Sequence, residues 1–235
     1  MITVNDEFVS LSMKQISVLA EQTKRRGNIG VIYARMAKIP YGYKMVRFLK
    51  TMPSIALCGG AIRSLLEGEE PKDWDFYVPK KDMGEVVNML KGYPSITIDK
   101  QNSRVVNATW LSVDDEDGKV SFTSLQFLAI RNDLPAFQQP LRFDLTPTLF
   151  SLRYDVAAKD YVLYHHIKAV PSVINRTMEL YGYTEPFYTL GRIGRYTTYG
   201  YRLLSTESEM QELGRKINMQ ELPRPTEEET GEYTF

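Results

Sequence analysis

Apolar residues in the first fifty positions recur at helical intervals: Leu11, Ile16 and Leu19, then Val31, Ala34, Met45 and Phe48. That period predicts helices across 11–50, interrupted at Gly27, Asn28 and Pro40, residues that break helices. The pattern then changes. Residues 54–58 (SIALC) are a short continuous apolar run, as a buried strand shows, halted by Gly59-Gly60. In 61–67, Ile62, Leu65 and Leu66 share one side of a short helix that Gly68 stops. Residues 73–78 (DWDFYV) read as a strand, and 83–90 as an amphipathic helix.

Strands are expected at 95–98, 105–113 and 119–130, with an acidic turn, Asp114-Asp115-Glu116-Asp117-Gly118, between the last two. Residues 141–155 are a further β-rich stretch, and the chain after Tyr161 reads as helical. The end, LPRPTEEETGEYTF, has the composition of a flexible acidic tail. The expected fold class is α+β, a mixed sheet flanked by helices. Its expected parts are a basic helical segment at 1–50, a sheet-containing head at 51–160, a helical extension at 161–205 and an acidic tail at 206–235.

Composition narrows the chemistry. The chain has one cysteine, Cys58, and two histidines, His165 and His166. Neither an internal disulfide nor a Cys/His zinc site fits that inventory, and the histidine pair reads as structural. No apolar stretch approaches the ~18 residues of a membrane span, and MITVNDEFVS lacks a secretion pattern. The expected compartment is the cytoplasm. The net charge is zero, yet it is segregated. Lys14, Lys24, Arg25, Arg26, Arg35, Lys38, Lys44, Arg47 and Lys50 face a single acid, Glu21, whereas 205–235 carries eight glutamates. A basic segment of this kind suits a phosphate polyanion, or is simply a solvated helical face.

Asp73 and Asp75 stand at i and i+2 of the 73–78 strand. Alternation puts both carboxylates on one face with Cα atoms about 6.5 Å apart, so they can converge on divalent cations about 3.5–4 Å from each other. Tyr77 shares that face, and Trp74, Phe76 and Val78 take the other. Gly59-Gly60, after a strand and before a helix, allows close approach of the backbone to a phosphate. Arg63 follows in the first turn.

The ordered set Gly59-Gly60-x-x-Arg63-x-x-Leu66-x-Gly68 and Lys72-Asp73-x-Asp75 resembles the head domain of tRNA CCA-adding enzymes and bacterial poly(A) polymerases, members of the DNA polymerase β-like nucleotidyltransferases. The family pattern is approximately GGxVRDxLLGxxxxDxD, and the match covers about 20 residues. Ser64 stands where the family carries an aspartate that supports the site. The segment 124–155 resembles the second half of viral and other divergent heads, in which an "IQ" strand precedes an "FD" strand. On that resemblance Asp144 is the third acid, reaching the same metals from a neighbouring strand; an edge-strand residue or a helix cap is the alternative. Tyr188-x-Leu190-Gly-Arg192-x-x-Arg195-Tyr196 loosely resembles the family's neck helix, whose basic residues contact nucleotide or RNA. Tyr181, Tyr183, Tyr188, Tyr196, Tyr199 and Tyr201 accompany Arg176, Arg192, Arg195 and Arg202, a mixture suited to stacking on bases or to ordinary packing.

The resemblance implies a template-independent nucleotidyltransferase. Asp73, Asp75 and Asp144 would hold two Mg²⁺ ions, and Gly59, Gly60, Arg63, Arg192 and Arg195 the nucleoside triphosphate. The implied acceptor is an RNA 3′ end, that of a tRNA first. Two alternatives stay open: a catalytically weak nucleotide- or RNA-binding module, and a transferase that modifies protein. A structural protein that reuses the fold is a third.

Overall fold

Trp74, Phe76 and Val78 are fully buried, and the strand that carries them, β3 (Asp73–Val78), is the centre around which the sheet is built. The computed structural model describes residues 7–113, 119–182 and 185–219. The chain runs β1 (Phe8–Ser12), α1 (Met13–Thr23), α2 (Asn28–Gly42), α3 (Arg47–Thr51), β2 (Ala56–Cys58), α4 (Gly60–Glu67), β3, α5 (Met83–Lys91), β4 (Ile96–Gln101), β5 (Val105–Val113) and β6 (Val120–Ala129). It continues through β7 (Phe150–Asp155), β8 (Asp160–His166), α6 (Ala169–Asn175), β9 (Thr177–Met178), α7 (Pro186–Thr198), β10 (Arg202–Leu203) and α8 (Glu207–Met219). The expected α+β architecture is what forms: an eight-stranded mixed sheet in the order β1-β8-β7-β2-β3-β6-β5-β4. Only β3 and β6 pair in parallel within it, with Asp73 opposite Ser124 and Asp75 opposite Gln126.

The helices of the first fifty residues form where the periodicity puts them. Ser12 and Gln15 cap α1 reciprocally, each side chain bonded to the other's backbone N–H. Pro40 does not interrupt α2 but sits in its last turn. Phe48 of α3 packs on Phe76 and Phe127 with ring centroids 5.9 and 6.0 Å apart. The core therefore fills the face of β3 and β6 away from the two aspartates, and each large side chain buried there contributes about 1.5–3 kcal/mol. The exposed Arg47 and Lys50 of α3 thus lie behind the sheet, not beside Asp73 and Asp75.

Four strands, β1, β8, β9 and β10, lie where helix, or nothing regular, was expected. β8 occupies DYVLYHH, buried from its second residue onward. It pairs with β7 on one side and with β1 on the other. A run buried on both faces has no alternation, so its period cannot separate strand from helix. Residues 141–149 are the reverse case: the expected β-rich stretch holds short 3-10 turns at Ala136–Arg142 and Thr146–Thr148, and strand begins only at Phe150. Beyond β8, a second apolar cluster of Leu145, Met178, Ile193, Tyr196, Tyr201 and Leu213 seats α7 and α8 against the sheet domain. The acidic turn at 114–118 and the tail at 222–235 lie outside the described residues.

Candidate active site

β2 ends at Cys58, and Gly59 turns the chain into α4. Gly59 has φ +77°, a left-handed conformation that a side chain would strain. It accepts no side-chain cap, so the N–H groups of the first helical turn, which have no intrahelical acceptors, face outward at the end of β2. Gly68 closes the same helix at φ +80°, and an added Cβ there would lie 2.6 Å from the guanidinium of Arg35. The glycine spacing read from the sequence therefore frames an eight-residue helix with an open N-terminus.

Asp75 and Tyr77 border a cavity of about 620 Å³ together with Gly59, Gly60, Arg142, Asp144, Arg192, Arg195 and Tyr196. That size suits a nucleotide-sized ligand. A smaller hollow of about 170 Å³ adjoins it, sharing Gly60, Asp75, Arg195 and Tyr196 and adding Lys72, Asp73 and Tyr199. Asp73 is exposed and Asp75 half-buried. Burial pushes the Asp75 carboxyl up to about 6, Asp73 pushes it the same way, and only Arg192 opposes them. Two carboxylates are thus held on one face, and at the partly desolvated Asp75 their repulsion outweighs the opposing charge of Arg192.

That imbalance fits a divalent cation. Mg²⁺ is commonly held by one or two carboxylates, with water and substrate phosphates completing its shell. Among the described residues no group of three or more His, Cys, Asp or Glu side chains converges as a metal site. Asp73 and Asp75, on one face of β3, are the carboxylates that could hold such an ion.

Asp144 lies differently from expectation. It is buried, in a bend between two 3-10 turns and not on a strand. Its Oδ2 accepts hydrogen bonds from Thr189 Oγ1 at 2.9 Å and from Arg192 Nη1. It borders the large cavity but is already neutralised by Arg192 of α7, so joining a metal shell would require Arg192 to let go. Arg192 is correspondingly not a bare phosphate ligand. Its position is nonetheless at the cavity wall, close enough to Asp75 and Tyr77 to act on their charge.

Arg63 is buried. Its guanidinium pairs with Glu67 one turn along α4, approaches Glu69 at 3.7 Å, and lies 5.3 and 5.1 Å from the ring centres of Tyr196 and Tyr199. Tyr201 donates its hydroxyl to Glu67 at 3.1 Å, and Arg176 approaches the same carboxylate at 3.7 Å. Arg63 thus locks α4 to α7 and the loop after it. The residue beside it, Ser64, is buried too; the carboxylate partner of Arg63 comes from Glu67. Arg63 is expected from the sequence at the triphosphate, and this pair is missed there, although the i,i+4 spacing of Arg63 and Glu67 could have signalled it.

Arg195 is exposed, borders both hollows and makes no ion pair among the described residues. Lys72 lies over the Tyr199 ring at 5.6 Å beside Asp73. Of the expected tyrosines, Tyr196, Tyr199 and Tyr201 gather around Arg63, whereas Tyr181 packs on Phe8 and His166 at the far edge of the sheet. Tyr183 lies outside the described residues. Arg142, Thr148 and Glu185, which also border the large cavity, carry no recognisable spacing in the sequence; only the fold brings them there.

No family model matches the sequence, and no curated protein matches it. Solved structures do. The Thermotoga maritima CCA-adding enzyme complexed with tRNA superposes with a TM-score of 0.53 at 13% identity, over 75% of this chain and 42% of that one. A CCA-adding enzyme in complex with CTP gives 0.56 at 12% identity, over 92% and 47%, and an apo CCA-adding enzyme 0.54 at 13%, over 90% and 46%. The chain spans less than half the length of these structures. It shares, over most of its own length, the fold seen in these CCA-adding enzyme structures.

Proposed function

We propose that this chain transfers a nucleoside monophosphate from a nucleoside triphosphate to an acceptor hydroxyl at an RNA 3′ end, with tRNA as the first candidate. One observation carries the reading. Two carboxylates from alternate residues of β3 stand where the open N-terminus of α4 and a nucleotide-sized cavity meet. The likeness to CCA-adding enzymes, two of them solved with tRNA or CTP, supports the fold behind it and suggests the acceptor.

Asp73 and Asp75 hold the cation. Bound Mg²⁺ supplies charge neutralisation for the phosphates and lowers the pKa of the acceptor hydroxyl. The N–H groups of Gly60 and Ala61 at the start of α4, with Arg195, hold the triphosphate. The acceptor oxygen forms a bond to the α-phosphorus, the bond from that phosphorus to the departing oxygen breaks, pyrophosphate leaves and the hydroxyl proton passes to solvent. Arg63 touches no reacting atom. It positions α4 against α7. Such catalysis is chiefly positioning and electrostatics.

The test is incubation with labelled ATP or CTP, Mg²⁺ and an RNA pool. Label is expected in RNA, and Asp73→Ala or Asp75→Ala should reduce incorporation by orders of magnitude with the fold intact by circular dichroism. Near wild-type incorporation by either variant would refute the assignment. A second reading, a nucleotide- or RNA-binding module, is favoured by Asp144 being closed off by Arg192 and Thr189. Its mark is nucleotide binding without incorporation. Label in protein would instead indicate a protein acceptor.

A further inference from the structure

On the face that presents Asp73 and Asp75, β5 and β6 continue outward past the carboxylates. Ser124 is opposite Asp73 and Gln126 opposite Asp75 on β6, with Thr109 and Asn107 opposite these on β5. One strand period beyond Ser124 the polar shelf becomes apolar. Phe122 is directly opposite Leu111, and Val120 opposite Val113. All four are exposed, Phe122 at 73%, although the same strands bury Leu125, Phe127 and Trp110 on the other face. An aromatic ring so exposed at the end of this shelf buries little apolar area in the fold.

Its position is specific. From strand spacing and rise, the Phe122 Cα lies about 8 Å from that of Asp73. The large cavity opens on the opposite side of the pair, where Tyr77, Leu128 and Ile130 carry the same strands onward. In-line displacement places the attacking oxygen opposite the departing pyrophosphate. With the nucleotide in the cavity, the acceptor must therefore arrive over Asp73, across Ser124 and Phe122.

We propose that Phe122, with Leu111 beside it, is a stacking platform for the unpaired base at the 3′ end of the acceptor RNA, and that the Val113/Val120 pair continues the track beneath the preceding nucleotide. This rests on the transferase reading above and names how that site takes its acceptor. A single-stranded end is favoured over a protein segment by the form of the patch. It is one aromatic and three aliphatic side chains in two successive cross-strand pairs, aligned with the direction of entry and meeting hydroxyl and amide groups at the carboxylates. Base stacking on an aromatic needs no more area than this, and each stack contributes about 1–3 kcal/mol.

The experiment uses the full chain and a short single-stranded RNA ending in 2-aminopurine, whose fluorescence is quenched by stacking. Wild type should quench the probe. Phe122→Ala should lose the quench and bind the RNA about fivefold or more weakly, the scale of one lost stack. Phe122→Trp should restore both, and affinity for ATP or CTP should be the same in all three. In turnover, Phe122→Ala should raise KM for RNA while leaving KM for the nucleotide unchanged. Equal quench and affinity in wild type and Phe122→Ala would overturn the platform. So would equal RNA binding combined with loss of a wild-type dimer in Phe122→Ala, which would make the patch a self-association surface. A chain that quenches the probe through Phe122 yet transfers no nucleotide supports the platform and overturns the transferase reading instead.

Discussion

Asp75 shows what a paired, partly desolvated carboxylate costs the fold. Alternation along β3 requires it to share a face with Asp73, and the walls formed by Tyr77 and α7 remove much of its water. The paired charges are then opposed only by Arg192 at a distance. Without a cation, neutralising Asp75 should relieve that repulsion. Asp75→Asn is expected to raise stability in chelator by about 1 kcal/mol or more at pH 7.5, while abolishing transfer. Thermal unfolding with EDTA checks this; a variant less stable than wild type would show that Asp75 makes structural contacts beyond those described. The alternation was legible in the sequence because β3 is half-buried and its acids interrupt a run of aromatics. Asp144 was less so. Phe143-Asp144-Leu145 has strand composition, but Pro140 and Pro147 on either side leave the backbone in 3-10 turns, and its partners Thr189 and Arg192 lie more than forty residues away.

At the scale of elements, the short helix α4 joins the sheet, the large cavity and α7. Its limits could be read from glycines alone, because Gly59 and Gly68 occupy conformations that other residues resist. Its fastening could not. Arg63 has the sequence position of a phosphate ligand, and only the fold shows Tyr196, Tyr199 and Tyr201 closing around it. The C-terminal end is held by Arg35, which donates to the Leu66 carbonyl at 2.7 Å while lying against Gly68. Gly68→Ala should therefore carry two penalties, a strained left-handed residue and displacement of that guanidinium. The expected loss is about 1–3 kcal/mol, a fall in Tm of about 2–4 °C for each kcal/mol. Nucleotide affinity should fall as well, since the first turn of α4 moves with its last. Gly42→Ala, where an added Cβ meets nothing within 4 Å, is the control; an equal loss there would remove the explanation.

Across the whole molecule, the part least legible in the sequence is also the part most exposed to pH. β8 brings the chain back between β1 and β7, and its two histidines end up inside. His165 packs on Phe150 with ring centroids 5.9 Å apart. Its Nδ1 bonds the His166 carbonyl at 2.9 Å, which makes Nδ1 the donor, and Nε2 is buried with no hydrogen-bond partner among the described residues. A proton on Nε2 would add a charge with no acceptor, so burial holds the His165 pKa below its usual 6.5, against the pull of the His166 carbonyl and with a smaller push downward from the His166 ring. His166 is also lowered by burial, against the pull of Glu7 at 3.3 Å and of Glu179, with Lys168 adding to the lowering. Tyr181 and Phe8 face it from the other elements. The sign follows. Above the unfolded value of 6.5 neither state carries the proton, and the contribution is intact. As pH falls through 6.5 the unfolded chain takes up protons that the folded chain refuses, and stability declines until the lower folded pKa is reached. The slope is about 1.4 kcal/mol per pH unit for each histidine fully resisting. His165→Phe keeps an aromatic in the slot beside Phe150 and removes one titrating group. Its Tm should be close to wild type at pH 7.5 and higher than wild type at pH 5.5. Parallel curves for the two proteins over that range would mean that His165 is protonated at no cost and that β8 is not the acid-sensitive strand of this fold.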